Sequence, residues 1–442
     1  MTSAATEANA DGLVGPTHTF AGLATGNLAS AANEGLASDP RAAALQGLAK
    51  AARLAELGLP QFVLPPHERP DVRFLRALGF AGPDARVLER AARDAPEMLA
   101  PAGSASAMWA ANAATVTPSA DAADGRVHLT PANLLSNLHR SLEPEQTVRA
   151  LRALMPDPAR FAVHAPLPAQ PRFADEGGAN HVRLAAEEGA AGVELFVWGR
   201  AAGELSQARQ TDLASQALAR RHGVRRPVLA RQSAEAIAAG AFHNDVVCVG
   251  AGACLFHHEA AFADTPRVHA DLRAAASGLF EPEFVVVTQA ELPVGEAIRS
   301  YLFNSMLVRP PGEDRLRLIA PAEARESAAA RAVVERAVDG NGPIGAAEFL
   351  DVRESMRNGG GPACLRLRLS LTAEELAATN GAMRLDAALQ ARLTDLVRRR
   401  WRDRLLPGDL ADAALLDESR AALDELTTIL GLGAGFYPFQ RA

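Results

Sequence analysis

The sequence predicts an α/β chain assembled from a repeated strand, helix, strand, strand unit, and three observations carry that reading. The first is an internal repeat. Residues 227–232 read as a strand, 233–240 as a short helix, 242–249 as a second strand and 253–256 as a third. About sixty residues later the order returns, over 284–289, 294–299, 301–308 and 315–319. The second is that Asn244 and Asn304 occupy the same place in the two copies. The third is the lack of a G-x-G-x-x-G turn after any strand, where an open dinucleotide-binding sheet would carry one. Repetition of such a unit points to blades around an axis, or to a solenoid.

In chain order, residues 12–30 hold few charges and many glycines and small hydroxyl residues, and read as a loop that lies against something. Asp39-Pro40 signals a helix, with an N-cap carboxylate and proline in the first turn. That helix carries Leu45, Leu48 and Leu54 on one face and stops near Gly58, before a short strand over 61–64. An earlier copy of the repeat follows with longer insertions: strand 62–64, helix 72–78, then Trp109-Ala-Ala-Asn112 leading into 113–117, and 126–129 after the Asp124-Gly125 turn. A further copy spans 349–352 and 364–369. Thr372-Ala-Glu-Glu375 reads as a capping box, and Leu385, Leu389, Leu393, Leu396 and Val397 keep helical spacing to Trp401. Residues 1–442 are expected to form a single catalytic domain with a helical C-terminal segment over about 372–430.

Composition excludes several classes of function. With 442 residues, 48% of them hydrophobic, the chain can bury a large core. Its 45 Lys+Arg against 52 Asp+Glu give a net charge of −7 and no basic field for nucleic acid or an anionic membrane. Lys50, in an Ala-rich helical stretch, is the one lysine, and there is no G-x-x-x-x-G-K loop, so Schiff-base enzymes and P-loop NTPases are disfavoured. No run of eighteen apolar residues occurs, and residues 1–11 lack the charged and apolar regions of a secretion signal. Three cysteines without a C-x-x-C pair argue against a disulfide framework or a closed zinc site, so a cytoplasmic protein is expected.

The strongest chemical signal is Asn358-Gly-Gly-Gly-Pro-Ala-Cys364. Three glycines allow close backbone approach, and Cys364 begins an alternating strand, which would hold a thiol at a strand mouth. Cys248 and Cys254, inside apolar runs, read as small core residues. A cysteine nucleophile needs a proton carrier. His243, in Phe242-His-Asn-Asp245, lies two residues from the Asp245 carboxylate, on one face of the expected strand. His257 and His258 point oppositely on a strand and read as structural. Asp175-Glu-Gly-Gly-Ala-Asn-His181 sets carboxylates before a Gly-Gly turn, where Glu176 can pair with His243, hold a cation or sit in a solvated acidic turn. The 12–30 loop, with Asn27 and Ser30, can receive a carboxylate, helped by Arg140 and Arg209.

Taken together, these segments resemble the N-succinylarginine dihydrolase family of bacterial arginine catabolism. The likeness runs nearly end to end. It rests on Asp11-Gly-Leu-Val-Gly15, Ala21-Gly-Leu23, Gly26-Asn27, Pro65-Pro-His-Glu-Arg-Pro70, Ala110-Ala-Asn-Ala-Ala114, Asp175-Glu-Gly-Gly-Ala-Asn-His181 and Phe242-His-Asn-Asp245. Tyr301-Leu-Phe-Asn-Ser305, Asn358-Gly-Gly-Gly-Pro-Ala-Cys-Leu-Arg-Leu367 and Tyr437-Pro-Phe-Gln-Arg441 complete it. The resemblance implies the five-bladed α/β propeller of the pentein superfamily, around a central active site. It implies Cys364 as nucleophile, His243 as general acid and base, and Glu176 as the acidic member. Substrate contacts would come from Ala21, Gly22, Leu23, Ala24, Thr25, Gly26, Asn27, Leu28, Ala29 and Ser30, with Asn112, His139, Arg140, Arg209, Asp245 and Asn358. No metal or organic cofactor is implied, the partner is the small molecule N2-succinyl-L-arginine, and a homodimer is expected. Two departures stand out: Glu176-Gly-Gly-Ala-Asn180 replaces the family's Glu-Gly-Ala-Ala-Asn, and the segment at 204–210, beside Arg209, is shorter. The alternatives are a single-hydrolysis deiminase of the same superfamily acting on arginine or methylarginine, and a noncatalytic protein that binds a small anion.

Overall fold

The computed structural model describes residues 5–24, 26–201 and 208–441. Among them are fifteen strands: β1 (Ala5–Gly12), β2 (Gln61–Leu64), β3 (Ala114–Thr117), β4 (Val127–Pro131), β5 (Phe161–Val163), β6 (His181–Ala185), β7 (Gly192–Trp198), β8 (Pro227–Arg231), β9 (Cys248–Ala251), β10 (Cys254–His258), β11 (Glu283–Val287), β12 (Met306–Val308), β13 (Leu316–Pro321), β14 (Ile344–Leu350) and β15 (Arg366–Thr372). They form five three-stranded sheets, in the orders β15-β1-β2, β3-β4-β5, β6-β7-β8, β9-β10-β11 and β12-β13-β14. In each sheet the middle strand runs antiparallel to the first and parallel to the third. The third strand of one sheet therefore opens the unit that builds the next. The N-terminal strand closes the ring, with Asp11 opposite both Arg366 of β15 and Val63 of β2. This is the five-bladed propeller that the family resemblance implies.

Blades hold together by apolar contact. Leu184, Val193, Leu195, Val228, Leu255 and Leu272 form one buried cluster spanning the β6-β7-β8 and β9-β10-β11 sheets. Each such leucine contributes roughly 1.5–3 kcal/mol by leaving water. The C-terminal helices Ala387–Arg400 and Ala413–Ile429 pack on each other, and the first packs on the Pro40–Glu56 helix. Buried Trp401 donates its indole N–H to the Val14 carbonyl (2.9 Å), and Tyr437 donates its hydroxyl to the Pro66 carbonyl (3.0 Å). These contacts brace the N-terminal loop from outside.

The structure corrects several expected elements. Residues 242–249 do not form one strand: His243 precedes the 3-10 turn Asn244–Val246, and β9 starts only at Cys248. His243 and Asp245 thus sit on a turn, not on one strand face. Likewise 301–305 form a turn before β12, with Tyr301 in the left-handed region at φ 51°, and Cys364 sits in a turn ahead of β15. The 12–30 loop ends in the helix Leu28–Ala32, capped by Asn27, whose side chain accepts from the Ser30 N–H (3.1 Å). A whole unit escaped the sequence reading: β5, then β6 and β7, joined by the 3-10 turns Pro171–Phe173 and Gly177–Asn180 in place of a helix. No helix among the described residues is long and apolar enough to cross a membrane.

Candidate active site

The turns ahead of the first strands of the five sheets meet around the propeller axis. Ala111 donates its N–H to the Cys364 carbonyl (3.0 Å), and Asn112 donates from Nδ2 to the Glu176 carbonyl (2.8 Å). Asn244 donates its backbone N–H to Asn180 Oδ1 (3.0 Å). Asn304 Oδ1 accepts from the N–H groups of Gly361 (3.1 Å) and Cys364 (3.3 Å), while its Nδ2 donates to Asp245 Oδ2 (2.9 Å). Asn304 therefore fixes both the loop that carries Cys364 and the carboxylate beside it.

The three glycines before Cys364 are explained by three neighbours. A Cβ on Gly359, whose φ is +91°, would overlap the Asn27 amide; one on Gly360 would overlap the Trp109 indole; one on Gly361 would lie 2.7 Å from Asn304 Oδ1. The Gly359 carbonyl accepts from Asn27 Nδ2 (2.9 Å) and from the Tyr301 hydroxyl (3.1 Å). That pair ties the N-terminal loop to the thiol loop.

Cys364 Sγ lies 3.8 Å from Asp245 Oδ2, and His243 Nε2 lies 2.9 Å from Glu176 Oε2, all four residues being buried or nearly so. The expected Glu176–His243 pair is thus formed. Glu176 donates its own N–H to Gln210 Oε1 (2.7 Å), and Arg209, stacked 4.2 Å over the Phe242 ring, brings Nη1 to 3.9 Å from Glu176 Oε2. Arg140 donates from Nε to Glu143 Oε1 (2.9 Å) and from Nη1 to Asn112 Oδ1 (3.4 Å). Among the described residues none donates to Asp245 Oδ1 or Glu176 Oε1, and none accepts from Arg140 Nη2, although all three atoms are buried.

Burial sets the protonation states. It pulls the His243 pKa down to about 4, although Glu176 acts to raise it. Burial also works against the Glu176 charge, but the hydrogen bond and charge of His243, with Arg209 and Arg140, prevail and bring the carboxyl to about 2. Near neutral pH the pair is an ionised glutamate beside a neutral imidazole. Asp245 is pushed up to about 7 by burial, against the hydrogen bonds from Asn304 and the Cys364 thiol. Burial and then the Asp245 carboxylate hold the Cys364 thiol well above its usual range. His139 is brought down to about 3 by burial and the Arg140 and Arg209 charges.

Ala21, Leu23, Ala24 and Ser30 line a small cavity with His139 and Asn358, beside Trp109. Asn27 is used in the loop contacts above, and Asn358 donates from Nδ2 to the Thr19 carbonyl (3.2 Å). Gly22, Gly26 and Ala29 do not line the cavity, and Leu28, 57% exposed, turns outward. Thr25 and residues 204–207 lie outside the described residues. Asp175 serves its own turn, its Oδ1 accepting from the Gly177 N–H (3.1 Å). His257 and His258 are used structurally, bonded to His269 Nε2 (2.9 Å) and the Leu292 carbonyl (2.9 Å). The sequence reading missed the contributions of Asn304, Gln210, Trp109 and Tyr301 to the site. Only Asn304 carried a signal, as the repeat partner of Asn244.

Five mixed sheets about one axis, with a thiol, an imidazole and carboxylates gathered where their turns meet, define a protein of the pentein class. The succinylarginine dihydrolase family model matches residues 4–440. N-succinylarginine dihydrolase 2 of Caulobacter vibrioides is 65% identical over 98% of this chain and 98% of its own. N-succinylarginine dihydrolase of Burkholderia thailandensis is 54% identical over 99% of this chain and 100% of its own. Among solved structures, the product-bound N-terminal domain of ArgZ, a cyanobacterial arginine dihydrolase, superposes with a TM-score of 0.50. It covers 82% of this chain and 97% of that domain, and at 15% identity it shares the fold alone. The chain belongs to the succinylarginine dihydrolase family.

Proposed function

We propose that this chain hydrolyses N2-succinyl-L-arginine with two waters to N2-succinyl-L-ornithine, two ammonia and carbon dioxide, in arginine catabolism. Cys364 is the nucleophile, His243 the general acid and base, and Glu176 the acidic partner. The observation that carries this reading is three buried atoms at the site that have no partner among the described residues: two carboxylate oxygens, Asp245 Oδ1 and Glu176 Oε1, and one guanidinium donor, Arg140 Nη2. A substrate that is cationic at one end and anionic at the other satisfies them all.

A guanidinium is a resonance-stabilised cation and a poor electrophile, so the site must localise its charge and supply a strong nucleophile. In the free enzyme the thiol is neutral, held so by burial and by Asp245. A guanidinium docked on Asp245 offsets that carboxylate and brings positive charge to the sulfur, which favours the thiolate at the moment it is needed. The thiolate adds to the guanidinium carbon. His243, having taken the thiol proton, passes it to the first departing ammonia, then takes a proton from water as it attacks and returns it to the leaving sulfur, which leaves a ureido group. A second attack at the same carbon expels the second ammonia, and water then releases carbon dioxide and the ornithine nitrogen. Glu176 stabilises each imidazolium formed. No cofactor enters the balance.

The N-terminal loop (residues 21–30), Asn112, His139, Arg140, Arg209 and Asn358 receive the succinyl end and the α-carboxylate. The enzyme acts in the cytoplasm as a homodimer, with residues 1–442 as one catalytic domain and the helical segment about 372–430 bracing it. A mass-balance assay tests the function: ammonia counted per succinylornithine formed should approach two. One ammonia per turnover, with a ureido product, would assign a deiminase instead. Light scattering of the purified protein tests the dimer.

A further inference from the structure

Of the 45 Lys+Arg residues only Lys50 is a lysine, and it has no surface role. Its side chain is wholly buried in the middle of the Pro40–Glu56 helix. Three acceptors from three other segments surround its ammonium: Asp11 Oδ2 of β1 at 2.7 Å, the Pro362 carbonyl at 3.2 Å, and Met306 Sδ of β12 at 3.9 Å. Pro362 lies two residues before Cys364 in the glycine loop. An ammonium offers three donors from a compact centre, matching three acceptors. A guanidinium brings five donors in a rigid planar fork, and would leave two of them buried and unmet.

We propose that Lys50 and Asp11 form a positioning pair for the nucleophile loop. The ammonium holds the Pro362 carbonyl, and with it the thiol, while Asn304 holds the loop N–H groups. This inference rests on the reading of Cys364 as the nucleophile. Two features support it. The loop between Gly359 and Cys364 has little internal hydrogen bonding, so its shape depends on outside anchors: Asn304 for the N–H groups of Gly361 and Cys364, Lys50 for the Pro362 carbonyl, and Ala111 for the Cys364 carbonyl. Cys364, when ionised, favours the Lys50 charge, as Asp11 does and Arg366 opposes, while Asp245 and Arg140 bear on the thiol itself. Burial opposes both charges of the pair, and their mutual attraction offsets it.

Replacing Lys50 alone strands a buried carboxylate, so the informative variant is the double replacement Asp11→Leu with Lys50→Met, which leaves no buried charge. It should fold, and its kcat should drop by roughly a hundredfold, as expected for a misplaced reacting group, while KM changes by less than about threefold. The pH profile of Cys364 alkylation by iodoacetamide should shift from that of the parent, since the loop that carries the thiol has lost the anchor on its Pro362 carbonyl. Lys50→Arg, which keeps the charge and changes its shape, should also lose kcat. A parallel measurement uses the unaltered enzyme. With [13Cε]lysine incorporated, the single lysine signal should shift when Cys364 is carbamidomethylated. A folded double variant with kcat within about threefold of the parent and an unmoved alkylation profile, or a lysine signal indifferent to Cys364 alkylation, would overturn the proposal. Failure of the nucleophile assignment itself would show separately, as turnover by Cys364→Ser.

Discussion

Glu176→Gln keeps the volume of the side chain and removes the charge next to His243. In the free enzyme the imidazole is neutral near pH 7, its pKa pulled to about 4 by burial, while Glu176 is ionised. In the proposed mechanism turnover creates an imidazolium whose Nε2 lies 2.9 Å from Glu176 Oε2. With charge centres roughly 4 Å apart and an effective dielectric of about 20, the attraction is about 4 kcal/mol. A neutral amide restores only about 1 kcal/mol of hydrogen bond. The transition state thus loses about 3 kcal/mol, which is roughly a hundredfold to a thousandfold in kcat. The sign of the pH effect follows from the same pair: the carboxylate raises the His243 pKa, so its removal moves the acid limb of the profile to lower pH. The assay is steady-state ammonia release from pH 3 to 9, with thermal melting at each pH to confirm the fold. A folded variant that loses less than about tenfold in kcat would remove Glu176 as the partner of His243.

Three further outcomes are expected. Cys364→Ser should abolish turnover with a stability change within about 1–2 kcal/mol, and acid quenching of the parent should trap an adduct on Cys364 detectable by mass spectrometry. Arg140→Met should raise KM for succinylarginine while barely altering the weak use of arginine, so that a selectivity of about a thousandfold or more shrinks; equal kcat/KM for both substrates in the parent would defeat the assignment. Acid should unfold the protein early. His18, His139, His243 and His257 are brought by burial to about 4, 3, 4 and 4, so the unfolded chain binds protons that the folded one refuses. Their contribution is complete above their ordinary value of 6.5 and is lost as pH falls through about 4, at about 1.4 kcal/mol per pH unit for each unmatched proton. Asp175 and Glu194, raised by burial to about 6 and 7, take up protons on folding and oppose this in part. Urea unfolding at pH 7.5, 6 and 5 measures the balance, and a flat response would refute it.

Much of the fold was legible because the units with a strand, a helix and an apolar hairpin keep their hydrophobic pattern. What misled was the first strand of two hairpins, over 242–249 and 301–308. Phe242, Val246 and Val247 are all buried, and an apolar run reads as strand, yet the backbone there must turn to bring His243 and Asp245 to the axis. Burial alone does not distinguish a core strand from a core turn. The unit from β5 to β7 was invisible for a different reason: its opening strand has three residues, and 3-10 turns stand where the pattern requires a helix. Cys364, His243, Glu176 and Asp245 could be picked out because glycines or paired polar residues flank them. Lys50 was weighed only for Schiff-base chemistry, and its contact with the Pro362 carbonyl joins residues 312 apart in sequence.

The repeat explains where the chemistry sits. Asn112, Asn180, Asn244 and Asn304 stand on the turns ahead of β3, β6, β9 and β12, and on the turn ahead of β15 stands Cys364. Three of the four asparagine side chains tie a turn to a neighbouring unit: Asn112 to the Glu176 carbonyl, Asn180 to the Asn244 N–H, and Asn304 to the Cys364 N–H. An amide suits that position because it donates and accepts across the axis at once. A thiol can do neither well. Cys364 is held instead by its backbone, between Asn304 on the N–H side and Ala111 on the carbonyl side, which leaves its sulfur uncommitted except to Asp245. The polar partners of the reaction come from positions adjacent to the other asparagines, His243 and Asp245 on either side of Asn244, and Glu176 four residues before Asn180. The ring of amides therefore supplies the rigidity, and the one unit that breaks the pattern carries the thiol that the proposed mechanism uses.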